Sequence, residues 1–197
     1  MEWQLPIQKM EIGNIHIGNP WGRHGGPQTQ QKPLVPLSYF GTHFRLPFIT
    51  LLFPPLQIVN YNATTGRLEL DMGVSQLACI KLNTFQETLM NAIMYHQQSW
   101  FKTEFTKEEI KAGFQPIIEN NHIILHCPIT SNNVPIFKDG EWKQTFALGD
   151  MKPGQRIRVA VKIHGISFLT RAERSGDQVW GGRCRLQHRI QGVIALQ

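Results

Sequence analysis

A chain of 197 residues with 41% hydrophobic and 17% charged side chains holds enough apolar material for one well-filled domain, which excludes a disordered tail. Its 17 Gly and 12 Pro favour many turns and short strands over a helical bundle, and no apolar run reaches the roughly 18 residues of a membrane-spanning helix. The net charge of +6 is unevenly spread: residues 151–197 hold nine basic groups against Glu173 and Asp177, a net of +7, while the first 150 residues carry −1. A polyanionic partner is therefore expected at the C-terminal end.

Residues 1–36 have the composition of an arm. Asn19-Pro20-Trp21-Gly22, Gly25-Gly26-Pro27, a Gln-rich stretch, Pro33 and Pro36 are turn and linker chemistry without a sustained period. Residues 3–7 and 12–17 are short enough to add as edge strands. The stretch 39–82 reads as strands. Asn62-Ala63-Thr64-Thr65-Gly66 is a hairpin-like turn, and Leu68, Leu70 and Met72 then alternate with Arg67, Glu69 and Asp71, the period of a half-buried strand.

Two helices are expected next. Thr84-Phe85-Gln86-Glu87 has capping-box spacing, with Phe85, Leu89, Ile93 and Trp100 following on one stripe. Thr106-Lys107-Glu108-Glu109 repeats the spacing and opens a second helix that ends near Gly113 or before Pro116. Strands resume after Pro116. Ile117-Ile118 and residues 122–126 flank Asn120-Asn121, and residues 134–137 and 142–146 flank a Lys138-Asp139-Gly140 turn. Pro153-Gly154 starts the final unit.

That final unit carries the functional signal. In one strand Arg156, Arg158, Lys162 and His164 share a side, with Ile157, Val159, Val161 and Ile163 on the other. In a second strand Arg183, Arg185, Gln187, Arg189 and Gln191 oppose Cys184, Leu186, His188 and Ile190. If the two pair, rows of cationic groups lie side by side. Like charges directly opposite destabilise a sheet, so such a surface points to a bound anion. Between the strands, residues 167–182 add Phe168, Arg171, Arg174 and Trp180 among glycines. Aromatic and Arg side chains on a loop can stack on unpaired bases, and Arg contacts to phosphate weaken with salt. The expected ligand is single-stranded nucleic acid, with no catalytic residue involved.

Other chemistry lacks support. His122, His126 and Cys127 are close, but no second Cys/His pair stands at zinc spacing. The glycine-rich segments lack both the P-loop ending and a Rossmann context. No metal, cofactor or enzymatic activity is expected. Cys79, Cys127 and Cys184 are odd in number and widely spaced, which fits free thiols in a reducing, intracellular compartment; no leader pattern opens the chain.

Several segments in order then resemble a known family. They are Arg67-Leu68-Glu69-Leu70-Asp71, Ser99-Trp100-Phe101, Thr106-Lys107-Glu108-Glu109-Ile110, Phe114-Gln115-Pro116-Ile117-Ile118, Val134-Pro135-Ile136-Phe137-Lys138-Asp139, Lys152-Pro153-Gly154-Gln155-Arg156-Ile157-Arg158, Gly165-Ile166-Ser167-Phe168 and Arg185-Leu186-Gln187-His188. Residues 67–196 thereby resemble the OB-fold single-stranded DNA-binding proteins of nucleocytoplasmic large DNA viruses. The resemblance implies an OB barrel with inserted helices, sequence-tolerant DNA binding, and service in viral replication, recombination or repair, in the host nucleus or a cytoplasmic viral replication site. It assigns no individual contact residue.

The resulting expectation is an α+β, mostly β protein. An OB-like (Greek-key) barrel with two inserted helices occupies residues 37–197, and an extended N-terminal arm occupies 1–36. Arg156, Arg158, Lys162, Arg183, Arg185 and Arg189 are expected to track phosphates, Phe168 and Trp180 to stack bases, and Arg171 and Arg174 to close over the strand. Single-stranded DNA is the expected partner, with RNA as the alternative ligand. Self-association and contacts with replication proteins are expected; a membrane is not. Two rivals stay open: a viral structural or genome-packaging β-sandwich protein, and an accessory factor that binds an acidic protein through the same ribbon.

Overall fold

The computed structural model describes residues 4–20, 33–62, 64–73, 75–126, 133–138, 141–147, 152–172 and 178–196. Within them the chain is mostly β with two helices. The N-terminal segment forms β1 (Leu5–Pro6) and β2 (Ile15–Ile17), with short 3₁₀ turns at Ile7–Lys9 and Ile12–Asn14. Next come β3 (Leu34–Phe40), β4 (Arg45–Leu46), β5 (Ile49–Leu52), β6 (Leu56–Asn62) and β7 (Arg67–Asp71). Helices α1 (Gln76–Phe101) and α2 (Lys107–Gly113) separate these from β8 (Phe114–Gln115), β9 (Ile118–Glu119) and β10 (His122–His126). The chain closes with β11 (Asn133–Lys138), β12 (Glu141–Ala147), β13 (Arg156–Ala172) and β14 (Gln178–Ala195).

The antiparallel pair β13 and β14 is the spine. Its strands run 17 and 18 residues, and the sheet order is β12-β11-β14-β13-β6-β7-β10-β9. This path is open, with β12 and β9 at its two ends. The free edge of β13 is shared by three strands in succession: β3 at Gly165 to Ser167, β5 at Ala160 to Ile163, and β6 at Arg156 and Ile157. Along the far edge of β14, β8 runs parallel at Cys184 and Arg185, and β11 at Val193 and Ile194. Where β3 crosses, Gly165 has φ 151° and a Cβ there would collide with the carbonyl of Val35, so only glycine fits.

Turn chemistry behaves as its residues dictate. Asn120 and Asn121 both have positive φ (50° and 63°), as the two-residue β9–β10 hairpin requires. Asn62 Oδ1 accepts from the Thr65 amide at 3.0 Å and turns β6 into β7. Lys138 pairs with Glu141 across the β11–β12 hairpin; Asp139 and Gly140 lie outside the described residues.

Two expectations are corrected here. Residues 4–20 are built into the fold rather than projecting as an arm, and strands form within both expected edge-strand spans, at Leu5–Pro6 and Ile15–Ile17. Leu5 pairs with Leu51, Ile15 with Tyr39, and Ile7 and Met10 are fully buried; residues 21–32 lie outside the described residues. The capping box at Thr84 is not a helix start, since α1 begins eight residues earlier. Ser75 sits at its N-cap without a side-chain bond, and Ala78, Cys79 and Leu82 already lie on the buried face with Phe85, Leu89 and Ile93. Thr84 and Thr88 donate instead to the carbonyls of Ile80 and Thr84, one turn back. The second capping box is genuine: Thr106 accepts from the Glu109 amide, and Glu109 accepts from that of Thr106.

The C-terminal end of helix α1 packs on the apolar face of the spine. Phe101, near its end, packs on Phe168 with ring centroids 4.7 Å apart. The helix stops at Lys102, which adopts left-handed φ 53°. Among the described residues no helix is long and apolar enough to cross a membrane.

Candidate nucleic-acid interface

Strand β14 alternates as its sequence demands. Cys184, Leu186 and Ile190 are buried, whereas Arg183, Arg185, Gln187 and Arg189 are exposed. A row with Arg at both ends and roughly 20 Å long therefore faces solvent. The apolar alternates fix it there, because a one-residue slip would turn all four polar side chains into the core.

Strand β13 contributes less than expected. Its partners across the ladder are Leu169 for Arg183, Ser167 for Arg185, and Lys162 for Arg189. Only the last is a direct cationic pair. Three register shifts, at Ala160/Val161, Ile163/Gly165 and Leu169/Thr170, stagger the remaining charges, which relieves the repulsion that facing rows would create. Lys162 is 9% exposed, its stem covered and its Nζ lying 4.5 Å from the Phe48 ring centroid. Arg158 is half-buried, and its Nε donates to the Phe53 carbonyl at 3.4 Å. Arg156 is exposed where β13 meets β6, opposite Gln57. The two rows expected side by side are thus one continuous row on β14, crossed by Lys162, with Arg158 and Arg156 toward the far end.

Phe168 and Trp180 are not base-stacking residues. They are 0% and 1% exposed and belong to an aromatic cluster under α1. Trp180 packs edge-on against Phe168 at 5.2 Å and Phe105 at 4.9 Å, and its Nε1 donates to the Arg183 carbonyl at 2.9 Å. They were expected on a loop. Instead β13 and β14 stay paired as far as Ala172 and Gln178, so strand alternation puts both rings inside. Arg171 lies on β13 opposite Val179, but its side chain is outside the described residues, as is all of Arg174.

Two neighbours of the row escaped the sequence reading. Gln115 of β8 pairs with Arg185, and its Nε2 lies 3.3 Å from His126 Nε2. Burial, with Arg185 and then Arg67 close by, holds the His126 imidazole below its usual pKa. Arg67 therefore joins Arg185 in one field, although Glu69 lies 3.6 Å from its guanidinium. The charge tally placed Arg67 outside the basic segment, and only the β7–β10 pairing brings it near. Among the described residues, none of Arg156, Arg158, Arg183, Arg185 and Arg189 has a carboxylate partner.

Beneath the row, His188 is locked as a neutral ring. Its Nδ1–H donates to the Leu186 carbonyl at 3.0 Å, and its Nε2 accepts the His126 amide at 3.0 Å. Burial drives its pKa down to about 4. The buried Cys184 thiol, adjacent to both Arg183 and Arg185, is pushed up to about 12 by desolvation and stays protonated at neutral pH. The outward groups of this surface are thus permanent cations and amides, which can hold phosphate oxygens by charge-assisted hydrogen bonds. Comparison with protein-family models, with curated proteins and with solved structures finds no match to this chain.

Proposed function

We propose that this protein binds single-stranded DNA with little sequence preference and performs no chemistry on it. The observation that carries the proposal is the exposed row Arg183, Arg185, Gln187 and Arg189, whose arginines have no carboxylate partner among the described residues. An uncompensated row of guanidinium groups fits a phosphate backbone, which supplies affinity but carries no base identity. Its width is also telling. Across the ladder only Lys162, buried at 9% exposed, adds a direct cationic partner to the row, and a single row suits one backbone better than two.

An OB-like barrel belongs to the same proposal. OB folds are partly open Greek-key barrels that bind oligonucleotides across their strands, and the open path with a long central ribbon is compatible with that design. The setting implied by the sequence resemblance, support of viral DNA replication, recombination or repair through self-association on the strand, is proposed with it.

Fluorescence polarisation with single-stranded and duplex DNA of equal length, at two salt concentrations, tests the proposal. Tighter binding to the single strand, weakening as salt rises, is expected. No binding, or equal affinity for both forms, would discard it in favour of a structural or protein-binding role.

A further inference from the structure

The turn between β3 and β5 carries two phenylalanines that the interior does not absorb. Phe44 is 41% exposed and Phe48 45%, and each is held in place. Phe48 lies over Lys162, Nζ to centroid 4.5 Å, and meets the His164 ring edge-on at 6.1 Å. Phe44 stacks on Tyr39 at 5.9 Å with 20° between the planes. It also folds back over Gly41, where a Cβ would stand 2.6 Å from the ring, so a glycine is what lets the ring lie on its own turn.

The ladder puts Phe48 on the basic face. Thr50 pairs with Lys162, and Lys162 with Arg189, so the ladder runs from β5 across β13 to β14, with Thr50 and Lys162 buried and Arg189 exposed at its far end. Phe48 stands two residues before Thr50, directly beside that ladder. A second cation stands on the turn: Arg45 Cζ lies 5.1 Å from the centroid of the Phe40 ring, which also packs on His16 at 3.9 Å. Acidic residues are missing from this part of the sequence altogether, since none occurs between Glu11 and Glu69.

We infer that Phe44 and Phe48 form a base-stacking station, taking up unpaired bases of a strand whose phosphates run over the exposed Arg189 toward the Arg185 end. The inference rests on the single-strand reading above, and it supplies the stacking that Phe168 and Trp180 cannot. Flat exposed rings fixed among cations, in a stretch free of carboxylates, suit a polyanion with planar bases. An acidic protein segment is the competing occupant, and the test separates the two.

An oligothymidylate and a base-free sugar–phosphate oligonucleotide of equal length are titrated into the wild type and variants at one salt concentration. The wild type is expected to prefer the oligothymidylate. Phe48→Ala and Phe44→Ala should each weaken that binding about tenfold and leave the base-free oligonucleotide unaffected; Phe48→Tyr should retain the wild-type preference. Arg183→Ala/Arg185→Ala should weaken both ligands together. Phe48→Leu keeps apolar bulk over Lys162 without a π face, and it decides the matter should Phe48→Ala lower the Tm. Equal wild-type binding to both ligands overturns the inference. So does a Phe variant that weakens both ligands alike, or neither; the last result hands the turn to an acidic protein partner while single-strand binding stands. Binding of neither ligand by the wild type removes the single-strand proposal itself.

Discussion

His188 couples the interface to pH. Its ring donates to Leu186 and accepts from the His126 amide, an arrangement open only to the neutral form. With a pKa pressed down to about 4 in the fold and an ordinary value near 6.5 when unfolded, the unfolded chain takes up the proton first. Stability from this residue is therefore complete above pH 6.5 and is lost as pH falls toward about 4. Its full extent is roughly 3 kcal/mol. Urea unfolding at pH 7 and pH 4.5 should show a loss approaching that size in the wild type and a clearly smaller one in His188→Gln. Equal losses in the two proteins would mean that the imidazole is not the titrating group.

At the scale of elements, α1 is tied to the chain beyond it by buried amides. Gln86, 6% exposed, accepts from the amides of Ile117 and Ile118 at 2.6 and 3.1 Å. Gln97 accepts from Phe105 at 2.7 Å and donates back to its carbonyl at 2.8 Å. Gln86→Leu would leave two buried backbone donors unpaired, at a cost of roughly 2–4 kcal/mol, so thermal unfolding should lose several degrees. An unchanged Tm would show that water replaces the glutamine there. These ties were not legible in the sequence, where Gln86 stood inside the false capping box at Thr84. The same Thr-x-x-Glu spacing was right at Thr106 and wrong at Thr84. What separates them is the apolar period at Ala78, Cys79 and Leu82, which carries the helix past Thr84 from upstream. Strands with a two-residue period, β7 and β14 above all, were legible because each alternate side chain is sorted by burial alone.

Across the whole molecule, pairing between distant segments decides what charge composition cannot. The basic C-terminal ribbon was visible in the sequence as a charge excess with alternation, and Arg183, Arg185 and Arg189 stand where alternation puts them. Its register was not visible. The bulge at Ile163/Gly165 and the shift at Leu169/Thr170, opposite Gly181-Gly182, are marked in the sequence only by glycines, which do not reveal the size of the slip, yet they determine which cations face one another. Phe168 and Trp180 looked available because Gly181-Gly182 resembles loop sequence, whereas the two glycines only interrupt the ladder, which resumes at Thr170 and Trp180. Phe48 could not be placed at all, since it reaches Lys162 only through the pairing of β5 with β13, more than a hundred residues apart in sequence. The acid-free run from 12 to 68 was in plain view, but a net tally over 150 residues averaged it away.

An arginine row on β14 that holds a single-stranded backbone must show itself in the salt dependence of affinity. Binding constants for one oligonucleotide over a salt series would be measured for the wild type, for Arg183→Ala/Arg185→Ala/Arg189→Ala, and for Lys9→Ala/Lys107→Ala, which removes exposed charge outside the ribbon. Each phosphate contact on a single strand contributes about −0.7 to the slope of log K against log salt. The triple variant should therefore be shallower by about 2, and the lysine variant should match the wild type. A triple variant with the wild-type slope would contradict the account, as would a lysine variant with the same loss.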